Sequence, residues 1–457
     1  MQLLRSTYPL GSRLKAYLPF YRRNLVVAFP VMLTQLGAAL VGLIDTIMVG
    51  HYSTTDLAAV SFANGIFFTF MVFAMGAVMA VTPLVGHAYV QQQDSRVASL
   101  LLNGLWFTLL VGGVTCLTIA ALVPFIDRMG QDPDVVTAAR PYLIMRIVGM
   151  IPFLLFCLEK QFMEGLGNTI VAMIVTAGIN LLNILLNWVF IFGHWGAPAM
   201  GAAGAGLATM IAWILLPVVF LVCILLHKEW RRFLLLCRGH LTNRATIREL
   251  LRVGTPIGLQ TTMETVLFTI SFIMVGWISK EALAAHQVTN QIADFAFMLS
   301  LGISSATTIR VSHQYGLRDM HATRMAANAS VHLILLMNTI GAALMIGLRH
   351  YIPYLFTNDE AVISLASDLL IFAGMLQYAD GLQCVGAGML RGVTDVRVPM
   401  WITVVTYVII ALPLGYVLMF PAGLGAVGMW ISFVVALTIA AIAFHIRFRY
   451  IASKWQH

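Results

Sequence analysis

Charge is what this chain has least of. Only 10% of its 457 residues are Asp, Glu, Lys or Arg, against about 25% in soluble domains. With 60% hydrophobic residues and a mean hydropathy of +0.88, that scarcity excludes the soluble globular class and puts most of the chain in lipid. Cysteine is sparse too. Cys116, Cys157, Cys223, Cys237 and Cys384 are scattered, mostly in apolar runs, with no CxxC pair or metal-ligand spacing. They read as small hydrophobes, which excludes a disulfide scaffold or a zinc site. No Walker motif, HExxH or nucleophile elbow occurs, so an ATP-driven pump would need another subunit and no enzyme motif is present. An ion gradient is the economical energy source. No long apolar run or cleavage site precedes Pro30, so the N-terminus reads as an amphipathic segment on the cytoplasmic surface, not a signal peptide. The net charge of +8 would suit nucleic acid, but the basic residues lie in short loops, so no nucleic-acid partner is expected.

What the chain has is apolar runs of about 20 residues or more, the length of a bilayer crossing. Twelve are read, near 25–50, 57–83, 98–123, 139–158, 168–192, 201–226, 252–277, 283–309, 327–347, 363–390, 398–420 and 425–446. The fourth is the weakest, because it holds Arg146 and Pro152. With the N-terminus placed in the cytoplasm, twenty-two of the 27 Lys and Arg fall on the inside, which predicts two cytoplasmic termini. The expected organisation is a cytoplasmic segment 1–24, a six-helix bundle 25–226, a basic cytoplasmic linker 227–251, a second six-helix bundle 252–446 and a cytoplasmic tail 447–457.

The two halves repeat. Pro30 to Gly50 aligns without a gap on Pro256 to Gly276, and the register continues through Asn64 on Asn290, Gly76 on Gly302, His87 on His313 and Tyr89 on Tyr315. Roughly a third of the aligned positions are identical, which marks architecture. Further on, Glu164-Gly165 corresponds to Arg391-Gly392, and Gly201–Gly204 to Gly425–Gly428. The glycine run at Gly201–Gly206 lacks a preceding strand and a Lys-Ser/Thr ending, so it reads as close helix packing, not a nucleotide loop. Six spans per half give both halves the same orientation, a parallel repeat. The predicted fold class is therefore all-α integral membrane, with twelve transmembrane helices in two pseudo-symmetric bundles.

The acids do not obey the repeat. Asp45 falls opposite Ser271, and Glu264 opposite Ala38. Asp45, Glu264, Asp294 and Asp380 all lie well inside apolar runs, where a charge costs at least ~2.5 kcal/mol and marks a candidate functional site. Arg146 is their one evident intramembrane counter-charge, so most of them must bind protons, a metal cation or a cationic ligand. Asn180, Asn183 and Asn187 share one helix face by their spacing, either as helix-to-helix hydrogen bonds or as neutral oxygen ligands for a hard cation such as Na+, with Thr209 as a further oxygen. The 25 Met, 26 Phe and 9 Trp are packing residues or the lining of an adaptable site for flat organic cations.

Taken together, DTIMVG at Asp45, PIGLQTTMET at Glu264, ADGLQCVGAGMLRGVTD at Asp380, MEGLGNT at Glu164 and NILLNWVFIFG at Asn183 resemble the multidrug and toxic compound extrusion (MATE) transporters, NorM branch. The resemblance covers nearly the whole chain. It implies a secondary antiporter, not an enzyme, that exports organic cations such as drugs and dyes in exchange for Na+ or H+. It also implies coupling acids at Glu264 and Asp380, and a second cation site at Asp45 with Asn183 and Asn187. Asn180, Thr209 and Asp294 are additional candidates. Na+ is expected at Asp45, Asn183 and Asn187 or at Glu264 and Asp380, with no cofactor. The expected setting is the bacterial inner membrane, multi-pass, as a monomer. The competing function is a lipid-linked oligosaccharide flippase of the same superfamily, but an anionic lipid headgroup would call for a basic cavity, and the intramembrane charges here are mainly acidic.

Overall fold

Every apolar run forms helix because backbone N–H and C=O groups in hydrocarbon can be satisfied only within the segment. The computed structural model describes residues 10–237 and 242–454. Residues 1–9 of the N-terminal segment, 238–241 of the linker and 455–457 of the tail lie outside the described residues. The first half comprises α1 (Leu10–Tyr52), α2 (Thr54–Val78), α3 (Val81–Val90), α4 (Asp94–Leu122), α5 (Pro133–Gly165), α6 (Ile170–Phe192) and α7 (Gly201–Leu226). A short helix, α8 (Lys228–Cys237), follows. The second half comprises α9 (Arg244–Gly276), α10 (Lys280–Gly316), α11 (Met320–Gly347), α12 (Glu360–Gly392), α13 (Arg397–Val404), a π-helical segment Val405–Ala411, α14 (Leu412–Met419) and α15 (Ala426–Lys454).

Among the described residues, twelve helical stretches are long and apolar enough to cross a membrane, with α2–α3 making one and α13–α14 another. Among the described residues all regular structure is helical. The helices outrun the apolar runs at their polar ends. α1 continues from the segment read as surface-lying straight into the first span, and α9 begins inside the stretch read as linker. α5 runs unbroken through Pro141 and Pro152 and past Arg146, so the weakest of the twelve is one helix. α8 is amphipathic. Its Phe233 is buried against Phe162 and Tyr89, which docks the linker on the first half.

The halves join by reciprocal crossings. α1 packs along α10, and its repeat-equivalent α9 packs along α2, the equivalent of α10. The closest approaches are at Gly76 and Gly302, which occupy matching positions. A Cβ on Gly76 would meet Thr261 Oγ1 and, at 2.9 Å, Gly258 Cα; a Cβ on Gly302 would meet Met32 Cγ and, at 2.9 Å, Met32 N. Met32 and Gly258 are themselves equivalent in the repeat. In lipid, helices associate by close van der Waals packing, not by a hydrophobic drive, so small residues set the crossing. Other joining contacts lie at the same end: Asn24 Nδ2 donates to Ala326 O (3.0 Å) and to Ser330 Oγ (2.9 Å), Gln91 Nε2 donates to Gly316 O (2.8 Å), and Arg96 pairs with Glu249. This is the end that carries both described termini. Farther along, α9–α15 build a buried cluster of their own, from Leu267 to Leu437.

Gly76→Val and Gly302→Val should each destabilise the protein by about 1–3 kcal/mol, because the added bulk meets backbone as well as side chain. Thermal unfolding of detergent-purified protein checks this, with Gly341→Val, which has open space around it, expected to change little.

Candidate cation and substrate sites

The sequence-predicted acids fall into two clusters inside the helices, one per half, at positions the repeat does not relate. In the first half α1 lies along α6, which brings Asp45 against the asparagine face. Asn187 Nδ2 donates to Asp45 Oδ1 at 2.5 Å and to Asn183 Oδ1 at 3.3 Å. Asn187 is fully buried and Asn183 nearly so. Asn187's own oxygen is buried and has no hydrogen-bond donor. An unpartnered buried acceptor beside a carboxylate and a second amide oxygen is a donor set that a hard cation satisfies. Asn180 meets α1 at Gly37, two turns from Asp45, and so stands apart from this cluster. Thr209 is buried in α7 beside α6, and among the described residues no hydrogen bond links it to the cluster.

Arg146 is held by aromatic faces as well as by its attraction to Asp45. Its guanidinium lies 4.2 Å from the ring centre of Trp213, 4.7 Å from that of Phe67 and 5.9 Å from that of Tyr142. It lies within electrostatic reach of Asp45, and among the described residues it forms no direct ion pair. The aromatic faces supply the attraction that a carboxylate would otherwise supply.

In the second half, Glu264 Oε1 accepts from Gln260 Nε2 (3.3 Å), one turn earlier on α9, and from Gln383 Nε2 (3.1 Å) on α12. Asp380 sits one turn before Gln383, within electrostatic reach of both Glu264 and Asp294. Asp294, the exposed member of the group, accepts from Asn290 Nδ2 at 3.2 Å. Tyr407, in the π-helical segment, is buried at 2% exposure, within electrostatic reach of Glu264 and Asp380 and beside Gln383. Glu264, Asp294 and Asp380 are thus brought together, and Asp45 is kept apart from them. Sequence reasoning missed Gln260, Gln383 and Tyr407. The i, i+4 spacing of Gln260 to Glu264 was the available signal for the first. It also left Arg391 in a loop. α12 extends to Gly392, and Arg391 is buried, within electrostatic reach of Glu264, so Arg146 is not the sole intramembrane counter-charge. Glu164, 2% exposed and 3.8 Å from Lys160, is a further buried acid.

The sequence profile of the MatE family matches residues 30–189 and 256–417, both halves of the chain. The chain belongs to the MatE family. A probable multidrug resistance protein NorM of Xylella fastidiosa is 31% identical over 433 residues, covering 95% of this chain and 92% of that one. Multidrug resistance protein PmpM of Pseudomonas aeruginosa is 32% identical over 446 residues, covering 96% and 92%. Among solved structures, a eukaryotic MATE transporter, AtDTX14, superposes with a TM-score of 0.85 at 17% identity, covering 96% and 98%. A MATE in the straight conformation superposes at 0.86 and 19%, covering 96% and 97%. At those identities the structural likeness concerns the fold. Family membership makes the chain a multi-pass membrane transporter and not an enzyme.

Within this MatE scaffold, the place opposite Asp45 is sealed by neutral groups. Trp430 Nε1 donates to His286 Nδ1 at 3.1 Å. That nitrogen is therefore the acceptor, and Nε2 carries the proton toward Ser271 Oγ, 3.2 Å away. Ser271 Oγ in turn donates to Phe268 O at 2.6 Å. Every member of this chain is satisfied and buried. Trp430→Phe should therefore cost about 1–3 kcal/mol of stability by orphaning His286 Nδ1, while leaving the transport rate of the folded protein near its wild-type value. Chemical unfolding and vesicle transport on the same variant check the two halves of that expectation.

Proposed function

We propose that this protein is a secondary multidrug efflux antiporter that exports organic cations in exchange for Na+ or H+ by alternating access. The observation that carries this reading is the grouping of Glu264, Asp380 and Asp294 in one half, with Arg391 within electrostatic reach of Glu264 alone of the three. Carboxylates gathered in a low-dielectric interior are stable together only with a bound proton, a cation or a cationic ligand. Exchange of one for another is antiport. The relatives named multidrug resistance proteins support the drug class. The acidic interior supports positively charged substrates.

In this reading two six-span units, 25–226 and 252–446, rock against each other as a monomer, and both termini face the cytoplasm as the basic loops favour. The contacts that join the halves then lie on the cytoplasmic side, and the structure corresponds to a state closed to the cytoplasm. Drug enters when that side opens. Ion binding from outside at Glu264 and Asp380 favours drug release, because a ligand shifts the equilibrium by its differential affinity for the two states. Asp45, Asn183 and Asn187 form a second cation position. There Na+ would take oxygens from the carboxylate and both amides, with the Asn187 amide turning its free oxygen toward the ion.

Dye efflux from everted vesicles under imposed Na+ or H+ gradients tests the reading. Glu264→Gln and Asp380→Asn should each cut gradient-driven efflux by about tenfold or more while the folded protein still binds dye, and Asp45→Asn should weaken efflux less severely. Wild-type gradient dependence in Glu264→Gln and Asp380→Asn together would sink the mechanism.

A further inference from the structure

The repeat pairs His87 with His313, Tyr89 with Tyr315 and Gly165 with Gly392, and the structure joins these six residues across the halves in a crossed arrangement. His87 Nε2, on α3, lies 2.9 Å from the carbonyl of Gly392, the last residue of α12. His313 Nε2, on α10, lies 2.7 Å from the carbonyl of Gly165, the last residue of α5. Each histidine of one half therefore meets the helix end of the other. A carbonyl only accepts, so both rings carry their proton on Nε2. The last carbonyls of a helix have no partner in their own helix and sit at the negative end of its dipole, which makes them good acceptors for such a donor. The rings also cross: His87 lies 5.3 Å from Tyr315, and His313 lies 6.3 Å from Tyr89.

Glycine is required at both helix ends. A Cβ on Gly165 would stand 2.8 Å from Val85 and 3.0 Å from Thr82 O; a Cβ on Gly392 would stand 2.7 Å from Val311 and 3.1 Å from Thr308 O. Val85 and Val311, and Thr82 and Thr308, are again equivalent positions. The carbonyls can reach the opposing histidines because the helix ends are seated this deeply. The bonds lie beside a small cavity on the same interface, lined by Met79, Thr82, Glu164, Ser305, Thr308 and Arg391 among others.

We propose that His87 and His313 are positioning residues of the transport cycle, a reciprocal pair of latches that holds the two halves closed at the end carrying the termini and breaks when that end opens. Their bonds run between halves, so a rocking motion of one half on the other must lengthen both together. The pair is separate from the ion-binding acids and sets how readily the drug-loading side becomes accessible. Gln91 to Gly316 and Arg96 to Glu249 also join the halves here, so loss of the latches shifts the balance of states without dissolving the interface. The proposal rests on the transport reading for its place in a cycle. Its test does not use transport.

The probe is a membrane-impermeant maleimide applied to the termini side of vesicles, without drug or gradient, reading the labelling rate of Ser305→Cys above the background of the native cysteines. His87→Ala with His313→Ala should raise that rate about tenfold or more. His87→Gln with His313→Gln, whose amide nitrogen can donate to the same carbonyls, should return it to within about threefold of the parent. Labelling at the parent rate in the alanine pair would overturn the proposal, as would a glutamine pair that labels as fast as the alanine pair. Should the alanine pair fail to fold, each single alanine variant is expected to label about threefold faster than the parent, and parent rates in both would overturn it equally. A protein that gates in this way yet moves no dye would overturn the efflux reading and leave the latches standing.

Discussion

The structure depends on one constraint: two similar halves must touch in lipid, where apolar surface gains nothing from being buried. What remains is close approach and hydrogen bonding, and a repeated scaffold supplies each of them twice. Gly76 against Gly258 is answered by Gly302 against Met32, and α2 on α9 is answered by α10 on α1. Because the crossings are reciprocal, neither half can tilt without loosening both. A membrane protein of this kind has little to gain from more area at the interface and much to gain from shape, which is why the tightest positions are glycines.

Much of this was legible in the residues. The span count, the register of the repeat and the common face of Asn183 and Asn187 all follow from periodicity, and periodicity survives folding in lipid because the backbone has so few alternatives. The acids stood out because a charge among apolar residues is costly wherever it is. What was hidden is neutral or depends on tertiary contact. Gln260 and Gln383 carry no charge to mark them, yet they hold Glu264. Tyr407 is aimed by a π-helical segment that ends at Leu412-Pro413, and no local propensity announces that turn. Arg391 lies just past an apolar run, where hydropathy stops and α12 does not. Asn180 shares the spacing of its neighbours but meets α1 two turns away from Asp45, so a shared helix face did not make a shared site.

Symmetry in the scaffold and asymmetry in the acids have different physical jobs. A two-fold framework gives two rocking states of similar energy, because packing that opens on one side is matched by packing of the same kind on the other. A transporter needs that near-balance but also needs a direction. Here the direction is written in polar groups that the repeat does not relate: Asp45 with its amides in one half, Glu264 and Asp380 in the other, and at the position opposite Asp45 a closed neutral chain of Ser271, His286 and Trp430. In the proposed antiport, closing that second position with fully satisfied groups would leave each half one place for a cation, not two.

The energies agree with that division. A hydrogen bond between helices in a membrane is worth roughly 0.6–2 kcal/mol. The two proposed latch bonds would therefore contribute a few kcal/mol at most to holding the closed end, beside the other contacts there. Moving one elementary charge through 100 mV is worth about 2.3 kcal/mol, and reversing a two-state balance from 1:99 to 99:1 takes about 5.5 kcal/mol. A closed end held much more firmly could not be opened by one or two ions, and one held by nothing would leak. Small donors on helix-end carbonyls, repeated twice and placed away from the acids, fall in the range that ion binding can overcome. In the proposed cycle, the weakness of each bond is what would let a gradient drive a large movement of one half against the other.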